Sequence, residues 1–159
     1  MKMVKWILVP MLLLPCFTQA AEAQWWGGET QEDGKPVTLR ALTSLPDEDT
    51  RVKHTWSVVI IWTYAAQDDG KPTPEDAKKM SMFEEAVQKQ LEGDGSAIKA
   101  IIRTGNGTRQ WTYYVTDLGR AQGVLSKEMN EFKGEKIDLR FRPDSAWKTL
   151  SDVLQKEGK

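Results

Sequence analysis

Histidine, the residue that most often serves as an acid, a base or a metal ligand, occurs only once in this chain. The single His54 excludes a metal site or a proton relay built on two histidines. It stands where a strand is predicted to begin, beside a charged loop, and this position favours a partly exposed histidine over a catalytic base. No G-x-S-x-G elbow, S-x-x-K box or H-E-x-x-H helix occurs in the sequence. We therefore expect a protein that is not an enzyme.

Acidic and glycine-rich segments could hold a ligand, but both have simpler interpretations. The acidic runs at 47–49 and 68–69 lack the spacing of an EF-hand and are typical of solvated loops. The glycines within 104–108 lack the Lys-Ser/Thr pair of a phosphate-binding loop, so they predict a hairpin turn. Glu84 and Glu85 are expected on the solvent side of a helix. We predict no cofactor and no metal site, while a carboxylate-dependent hydrolase stays open because the sequence does not show which acids converge.

Tryptophan and arginine side chains are the candidates for contact with a partner, because these residues dominate interface energetics. Trp25 and Trp26 are adjacent, so in a strand they point to opposite faces. Alternation in the last strand places two arginines on the outer side of the sheet, and Lys99 and Arg103 are expected on that same side. The predicted partner-binding residues are Trp25, Trp26, Arg103, Arg140 and Arg142.

The start of the chain has the pattern of a bacterial secretory signal peptide. Lys2 and Lys5 precede the apolar run WILVPMLLL at 6–14, and small residues follow it. The run is about half the length of a membrane-spanning helix, which disfavours a permanent anchor. We predict cleavage after Ala20, or alternatively after Ala23, and a periplasmic protein.

Export leaves a mature domain of residues 21–159, and this domain has no cysteine because Cys16 lies in the signal peptide. A lipid anchor at Cys16 would need Gly, Ala or Ser before the cysteine, and Pro15 stands there instead, so we expect none. Thiol catalysis and thiolate metal sites are excluded. The mature domain has 20 basic and 23 acidic residues and a net charge of −3, which excludes a general polyanion binder.

The N-terminal half of the domain predicts a hairpin, a central strand and a helix. Strands at 24–30 and 37–44 flank an Asp-Gly turn, and the segment 45–51 is predicted to be a loop. The run at 54–64 is rich in β-branched and aromatic residues on both faces, as in a central strand. Thr73 caps a helix whose apolar stripe recurs at every third or fourth residue, at Met80, Phe83, Val87 and Leu91.

The C-terminal half predicts a second hairpin, two helices and a strand. Strands at 97–103 and 109–116 flank an Asn-Gly turn, and Asp117 caps the helix that follows. The segment 136–142 alternates apolar and charged residues, as a half-buried strand does. A last helix is predicted to start at 143–144 and to present three apolar side chains, Trp147, Leu150 and Leu154.

The order of these elements predicts the fold. After the N-terminal β-hairpin they run strand, helix, strand, strand, helix, strand, which is the ferredoxin-like βαββαβ arrangement, and a C-terminal helix follows. We predict a single α+β domain in which two helices cover one face of an antiparallel sheet. Sheets of this kind can bind RNA, but the chain has no RNP-type aromatic motif and its net charge is negative, so we expect no nucleic-acid binding.

Four segments carry a resemblance to a known family: VVIIW at 58–62, DGKPTPE at 69–75, TGNGTRQW at 104–111 with Tyr113 and Tyr114, and DSAW at 144–147. On these segments the chain resembles the bacterial family catalogued as domain of unknown function 695, over nearly the whole mature chain. Members of that family often lie beside domains similar to the protein inhibitor of ribonuclease E, so the resemblance implies a ferredoxin-like fold. It implies no activity and no catalytic residue.

Together these patterns predict a function based on binding. We expect an exported, non-catalytic domain that binds another cell-envelope protein, as an inhibitor or an immunity-type partner. The signal peptide separates this chain from cytoplasmic ribonuclease, which disfavours a role like that of the ribonuclease E inhibitor. The alternatives are a small-ligand or metal-ion binding protein of the envelope and a carboxylate-dependent hydrolase.

Overall fold

The computed structural model describes residues 23–157, which form a six-stranded antiparallel sheet and four helices. The elements are β1 (Trp25–Glu32), β2 (Lys35–Leu42), α1 (Glu48–Lys53), β3 (Trp56–Thr63), α2 (Pro74–Leu91), β4 (Ala97–Gly105), β5 (Thr108–Val115), α3 (Leu118–Glu131), β6 (Lys136–Pro143) and α4 (Lys148–Glu157). The strands lie in the order β1-β2-β4-β5-β3-β6, so β3 is an interior strand, as predicted. The predicted α+β class is confirmed, whereas the predicted signal peptide, the cut after Ala20 and Cys16 lie outside the described residues.

Two-residue turns fix the register of both hairpins. Asp33 and Gly34, between β1 and β2, have φ values of 52° and 75°, and Asn106 and Gly107, between β4 and β5, have φ values of 50° and 78°. Two consecutive positive φ values define the type I′ turn, whose twist matches that of the flanking strands. The structure therefore confirms both predicted hairpins.

Helices α2 and α3 cover one side of the sheet, which we call the helix face. Thr73 caps α2 by accepting a hydrogen bond from the backbone N–H of Asp76 at 3.1 Å. Trp62, near the end of β3, is fully buried, and its ring centroid lies 5.6 Å from those of Phe83 and Phe132 in edge-to-face geometry. The buried side of α2 consists of the four predicted residues, Met80, Phe83, Val87 and Leu91.

Helix α4 covers part of the opposite side, which we call the α4 face. Trp147, directly before α4, is fully buried, and its ring stacks on that of Tyr114 with centroids 3.7 Å apart. Its indole N–H donates to the carbonyl oxygen of His54 at 3.0 Å. The cluster around this pair comes from β2, β4 and α4 and comprises Ala41, Leu42, Ala100, Ile101 and Leu150. Helix α4 therefore shields this part of the α4 face from water.

Helix α1 occupies part of the segment 45–51, which is predicted to be a loop, so that prediction is wrong. Asp47 accepts a hydrogen bond from the backbone N–H of Thr50 at 2.7 Å and thereby caps a helix of six residues. The first turn carries Glu48 and Asp49 near the positive end of the helix dipole. The acidic run at 47–49 is thus a helix start and not a loop.

Helix α4 begins at Lys148, later than the predicted start at 143–144, because Trp147 has a φ of 54° that an α-helix does not allow. The Asp144 carboxylate caps this helix from four residues away, since it accepts the backbone N–H groups of Lys148 at 2.7 Å and Thr149 at 3.1 Å. The Tyr114 hydroxyl donates to the same carboxylate at 2.9 Å. Burial alone would raise the pKa of Asp144, but these donors hold the pKa below its ordinary value.

Replacing Asp144 by alanine is expected to lower the free energy of unfolding by about 1–3 kcal/mol, because a buried hydroxyl and two backbone N–H groups lose their acceptor. The lowered pKa means that the contribution of Asp144 is complete above the unfolded-state pKa and is lost as pH falls through the folded-state pKa. Urea denaturation at neutral and at acid pH measures both effects. Asp144→Asn keeps one acceptor oxygen and should lose less than Asp144→Ala at neutral pH, and equal losses for the two variants would contradict this account.

A β-bulge at Ala100 reverses the predicted position of one lysine. The pairing of β4 with β5 shifts between Lys99 and Ile101, so the alternation of side chains restarts after the extra residue. Lys99 therefore points to the helix face, whereas Arg103 points to the α4 face. The prediction that Lys99 and Arg103 share one side of the sheet is wrong, and the bulge is the physical reason.

Candidate functional site

Arg140 and Arg142 lie on β6, at one edge of the sheet, and both are exposed. They project to the α4 face, where Arg140 is the neighbour of Val59 on β3 and Arg142 is the neighbour of Ser57. Arg142 donates a hydrogen bond to the Thr149 hydroxyl of α4 at 2.5 Å. Arg140 makes no ion pair and no side-chain hydrogen bond with any residue in the range 23–157, so its guanidinium is available for an external acceptor.

The surface around Arg140 is not covered by α4, because that helix packs over β2, β4 and β5, whereas Arg142 borders α4 through its bond to Thr149. Val59 is partly exposed there, and Ile61, two residues along β3, is 8% exposed. We call this surface the arginine face and define it by Val59, Ile61, Asp138, Arg140 and Arg142. Exposed arginines beside the partly exposed Val59 are typical of a protein-binding surface, and an acidic and partly apolar partner would complement them.

Trp25 and Trp26 lie at the start of β1, at the other edge of the sheet, and both are half-buried. On the helix face, the guanidinium of Arg40 lies 5.7 Å from the centroid of the Trp25 ring. On the α4 face, the Trp26 ring lies over Gly28, where a Cβ atom would be 3.3 Å from the ring. The absence of a side chain at Gly28 therefore gives the Trp26 ring its place on the strand.

The five predicted partner-binding residues do not form one surface. Trp26 and Arg140 belong to the same row of cross-strand neighbours but to opposite edges of the sheet. Five strand spacings separate them, which is about 24 Å. Trp25 faces the other side of the sheet. Only Arg140 and Arg142 lie together.

Arg103 is held by the N-terminal hairpin. Its Nε donates to Glu32 Oε1 at 3.2 Å, its Nη2 donates to the other carboxylate oxygen, and its Nη1 donates to the Thr108 hydroxyl at 3.2 Å. This two-pronged contact is the favoured geometry of an arginine with a carboxylate. Arg103 therefore links the end of β1 to β4, and the structure gives it a positioning role within the fold.

A group of charged side chains lies between α2 and the sheet. The Lys99 ammonium is 2.9 Å from Glu84 Oε1 and 3.5 Å from Glu92 Oε1. Nη2 of Arg109 lies 2.8 Å from the other carboxylate oxygen of Glu84. The side chains of Lys99 and Glu84 are only 10% and 15% exposed. We call Glu84, Glu92, Lys99 and Arg109 the ion cluster.

Sequence reasoning missed the ion cluster. The expected position of Glu84 on the solvent side of its helix is wrong, because the bulge at Ala100 turns Lys99 towards it. A signal is nevertheless present in the sequence, since Glu84, Gln88 and Glu92 recur at every fourth residue beside the apolar stripe. Residues at this spacing lie on one side of a helix.

Burial and charge act in opposite directions on the two glutamates of the ion cluster. Burial alone would raise the pKa of Glu84, but the Lys99 ammonium and the Arg109 guanidinium outweigh burial, so the pKa lies below its ordinary value. Burial raises the pKa of Glu92, and the longer contact with Lys99 does not compensate. Burial also raises the pKa of Tyr113. One glutamate is thus held ionised, while the other gains a proton more readily.

A cavity of about 420 Å³ opens between α2 and the N-terminal hairpin and reaches the ion cluster. Trp25 and Arg40 line one side of it, and Glu84, Gln88 and Lys99 line the other. Chemically, this cavity could enclose a small polar ligand against an aromatic ring. Within residues 23–157, no three acidic, histidine or cysteine side chains are grouped as metal ligands.

His54 is 6% exposed, so the prediction of a partly exposed strand-end histidine is wrong. It lies at the end of α1, and its Nδ1 and Nε2 atoms are 2.8 Å and 3.0 Å from the carbonyl oxygens of Thr50 and Gly95. Its own carbonyl oxygen accepts the indole N–H of Trp147. His54 therefore connects α1, the turn before β4 and the start of α4.

Comparison with known proteins assigns the chain to a family. The model of DUF695, described as a family of unknown function, matches residues 24–155. No curated protein and no solved structure matches the chain. No helix within residues 23–157 has the length and the apolar character needed to cross a membrane. The family match confirms the resemblance seen in the four sequence segments, and the chain belongs to the DUF695 family.

Proposed function

We propose that this protein is an exported, non-catalytic domain that binds another protein of the cell envelope, as an inhibitor or an immunity-type partner. The basic, apolar and small-residue pattern of the first twenty residues supports export and a periplasmic location. The arginine face supports binding, because it combines exposed guanidinium groups with the partly exposed Val59. Its chemistry favours a partner surface with carboxylates around an apolar centre.

The finer fold assignment is also a proposal, namely that β3 to β6 with α2 and α3 are a ferredoxin-like unit. Its support is the strand order β4-β5-β3-β6, in which each of the two helices connects strands that have one strand between them. The N-terminal hairpin extends this unit on one side. Because fold alone does not define function, binding is argued from the arginine face.

The observation that carries the proposal is the exposure of Arg140 beside Val59 on a part of the sheet that α4 leaves open. Photo-crosslinking in living cells, with a photoreactive amino acid at position 140, is expected to trap a single envelope protein. The same amino acid at Lys127, exposed on α3 away from the arginine face, is the control and should trap none. Mass spectrometry then identifies the trapped protein.

Charge reversal tests whether the trapped protein is bound by the arginine face. The double variant Arg140→Glu/Arg142→Glu is expected to weaken binding of the purified partner at least tenfold, about 1.4 kcal/mol or more. The matched variant Lys127→Glu/Lys133→Glu changes charge equally on an exposed part of the molecule and should bind like the wild type. Equal affinities for the two double variants, measured by calorimetry, would disprove a role for the arginine face.

Small-ligand binding is the second candidate function, and the cavity beside the ion cluster is the observation that favours it. Native mass spectrometry of the protein purified from the cell envelope would then show a bound small molecule. Trp25→Ala removes the aromatic wall and should abolish this added mass, whereas Val52→Ala changes an exposed apolar residue on α1 and should retain it. If neither the wild type nor the two variants show added mass, small-ligand binding is disproved and binding of another protein is the function that the structure supports.

A further inference from the structure

The two edges of the sheet differ in their protection against pairing with another strand. Edge strand β6 carries Lys136, Arg140, Arg142 and Pro143, residues that hinder strand addition. Edge strand β1 contains no lysine, no arginine and no proline, and it pairs with β2 without a bulge. Six of its eight residues, 27 to 32, are exposed. Within residues 23–157, β1 is therefore the edge that is open to another strand.

The outward backbone groups of β1 follow from the geometry of its hairpin. In a hairpin with a two-residue turn, the residues that flank the turn exchange hydrogen bonds, and the bonding alternates from there. Glu32 flanks the turn, so the even-numbered residues of β1 bond to β2. The bond from the Thr43 N–H to the Gln24 carbonyl oxygen at 3.0 Å agrees with this alternation. Trp25, Gly27, Glu29 and Gln31 therefore direct their N–H and C=O groups away from the sheet.

We propose that two copies of this chain pair through β1, antiparallel, about a two-fold axis at Gly28. In this register Trp25 of one copy lies opposite Gln31 of the second copy, and Gly27 lies opposite Glu29. All four outward residues of each strand then find hydrogen-bond partners. A register centred on Glu29 would place two glutamates opposite each other, and one centred on Gly27 would move Gln31 beyond the end of the partner strand.

Side chains on the helix face are complementary in the register centred on Gly28. Arg40 lies opposite Gly27 within each copy, and a Cβ atom at Gly27 would be 3.5 Å from Arg40 Cγ. Glu29 of the second copy, placed opposite Gly27, therefore lies next to Arg40. Within residues 23–157 of one copy, neither Glu29 nor Arg40 forms an ion pair. Because of the two-fold symmetry, the contact between Glu29 of one copy and Arg40 of the other occurs twice in the dimer.

The α4 face of the same interface is also complementary. Trp26 of one copy lies opposite Thr30 of the second copy, so the β-branched side chain packs beside the half-buried indole. The interface uses one edge of the sheet, and the arginine face lies at the other edge. Pairing of two copies thus goes beyond the proposed function and leaves the proposed partner surface free.

Sedimentation equilibrium of the protein, in the form that the cell accumulates, tests the pairing. We expect a reversible monomer–dimer equilibrium. Glu29→Pro removes one outward N–H group and leaves every β1–β2 hydrogen bond in place, so it should raise the dimer dissociation constant at least tenfold. Glu48→Ala, at an exposed acid on α1, is the control and should not change it. A wild-type monomer at all concentrations, or an unchanged dimer in Glu29→Pro, would overturn the proposal.

Exchanging the charges of Glu29 and Arg40 shows whether a weaker dimer results from loss of their contact or from a folding defect. Glu29→Arg and Arg40→Glu should each weaken the dimer, and the double variant should restore it because the ion pair re-forms with its charges exchanged. If the dimer of the double variant is weaker than the dimers of both single variants, the proposed register is wrong. The variant Arg140→Glu/Arg142→Glu should dimerise normally, so failure of the partner-binding proposal and failure of the dimer give different results.

Discussion

Replacing Trp147 by alanine is expected to lower the free energy of unfolding by about 3–5 kcal/mol. The side chain is fully buried, stacks on Tyr114, and donates its indole N–H to the His54 carbonyl oxygen. Its removal leaves a large cavity under α4 and a buried carbonyl oxygen without its donor. Tryptophan and alanine both carry a Cβ atom, so the positive φ at position 147 affects the wild type and the variant alike.

Guanidinium denaturation followed by circular dichroism measures this loss. Trp147→Phe is the matched control, because it keeps an aromatic ring against Tyr114 and loses only the indole N–H and part of the volume. We expect Trp147→Phe to lose less than half of the unfolding free energy that Trp147→Ala loses. A loss below about 1 kcal/mol in Trp147→Ala would show that α4 contributes little to the fold.

Replacing Lys99 by methionine is expected to lower the free energy of unfolding by about 3–5 kcal/mol at neutral pH, because it leaves the Glu92 carboxylate without its cation and the Glu84 carboxylate with Arg109 alone. Glu84 and Glu92 both lie within 3.5 Å of the Lys99 ammonium. Methionine has nearly the same length, so the apolar stem of the side chain keeps its contacts. The exposed Lys89 on α2, the helix that carries Glu84, supplies the control, and Lys89→Met should change stability by less than about 0.5 kcal/mol.

The pH dependence of the Lys99→Met variant identifies the cause of its loss. In the wild type, the lowered pKa of Glu84 means that this group adds stability above its unfolded-state pKa and that the gain is lost as pH falls through the folded-state pKa. The raised pKa of Glu92 has the opposite sign, so protonation of Glu92 relieves a cost. Without Lys99 the Glu92 carboxylate is buried without a cation and Glu84 keeps only Arg109, so the difference in stability between variant and wild type should shrink as pH falls and the carboxylates gain protons.

Neutralising Glu92 provides the complementary test. The double variant Glu92→Gln/Lys99→Met removes the carboxylate that Lys99→Met leaves unpaired and keeps the contact between Glu84 and Arg109, so it should recover much of the stability that the single variant loses. If the double variant is as unstable as Lys99→Met, the loss comes from packing and the assigned role of the ion cluster is wrong.

The regular elements of the fold were predictable because local periodicity determines them. The three- and four-residue spacing of Met80, Phe83, Val87 and Leu91 predicted the buried side of α2, and the Asp-Gly and Asn-Gly pairs predicted both hairpin turns. These signals depend on residues that are neighbours in the sequence, so one sequence suffices to read them.

The ion cluster could not be predicted in the same way, because it depends on an irregularity of the backbone. A single extra residue at Ala100 exchanges the faces of Lys99 and its neighbours, and nothing in the strand AIKAIIR marks the bulge. The contact of Arg103 with Glu32 joins residues 71 positions apart and likewise has no local signal. The arginines of β6 were placed correctly because clean alternation continues through the whole strand.

The packing of α4 against the N-terminal hairpin has a consequence for the order in which the molecule can be completed. The last helix covers Ala41 and Leu42 of β2, and Val153 and Leu154 near its end join the same apolar cluster. The β1–β2 hairpin leaves the ribosome first, and its α4 face is shielded from water only after the residues of α4 have been synthesised. A chain built in this way reaches its full stability only once it has emerged completely, and a truncation at the carboxyl end should leave the opposite end of the sequence prone to aggregation and proteolysis.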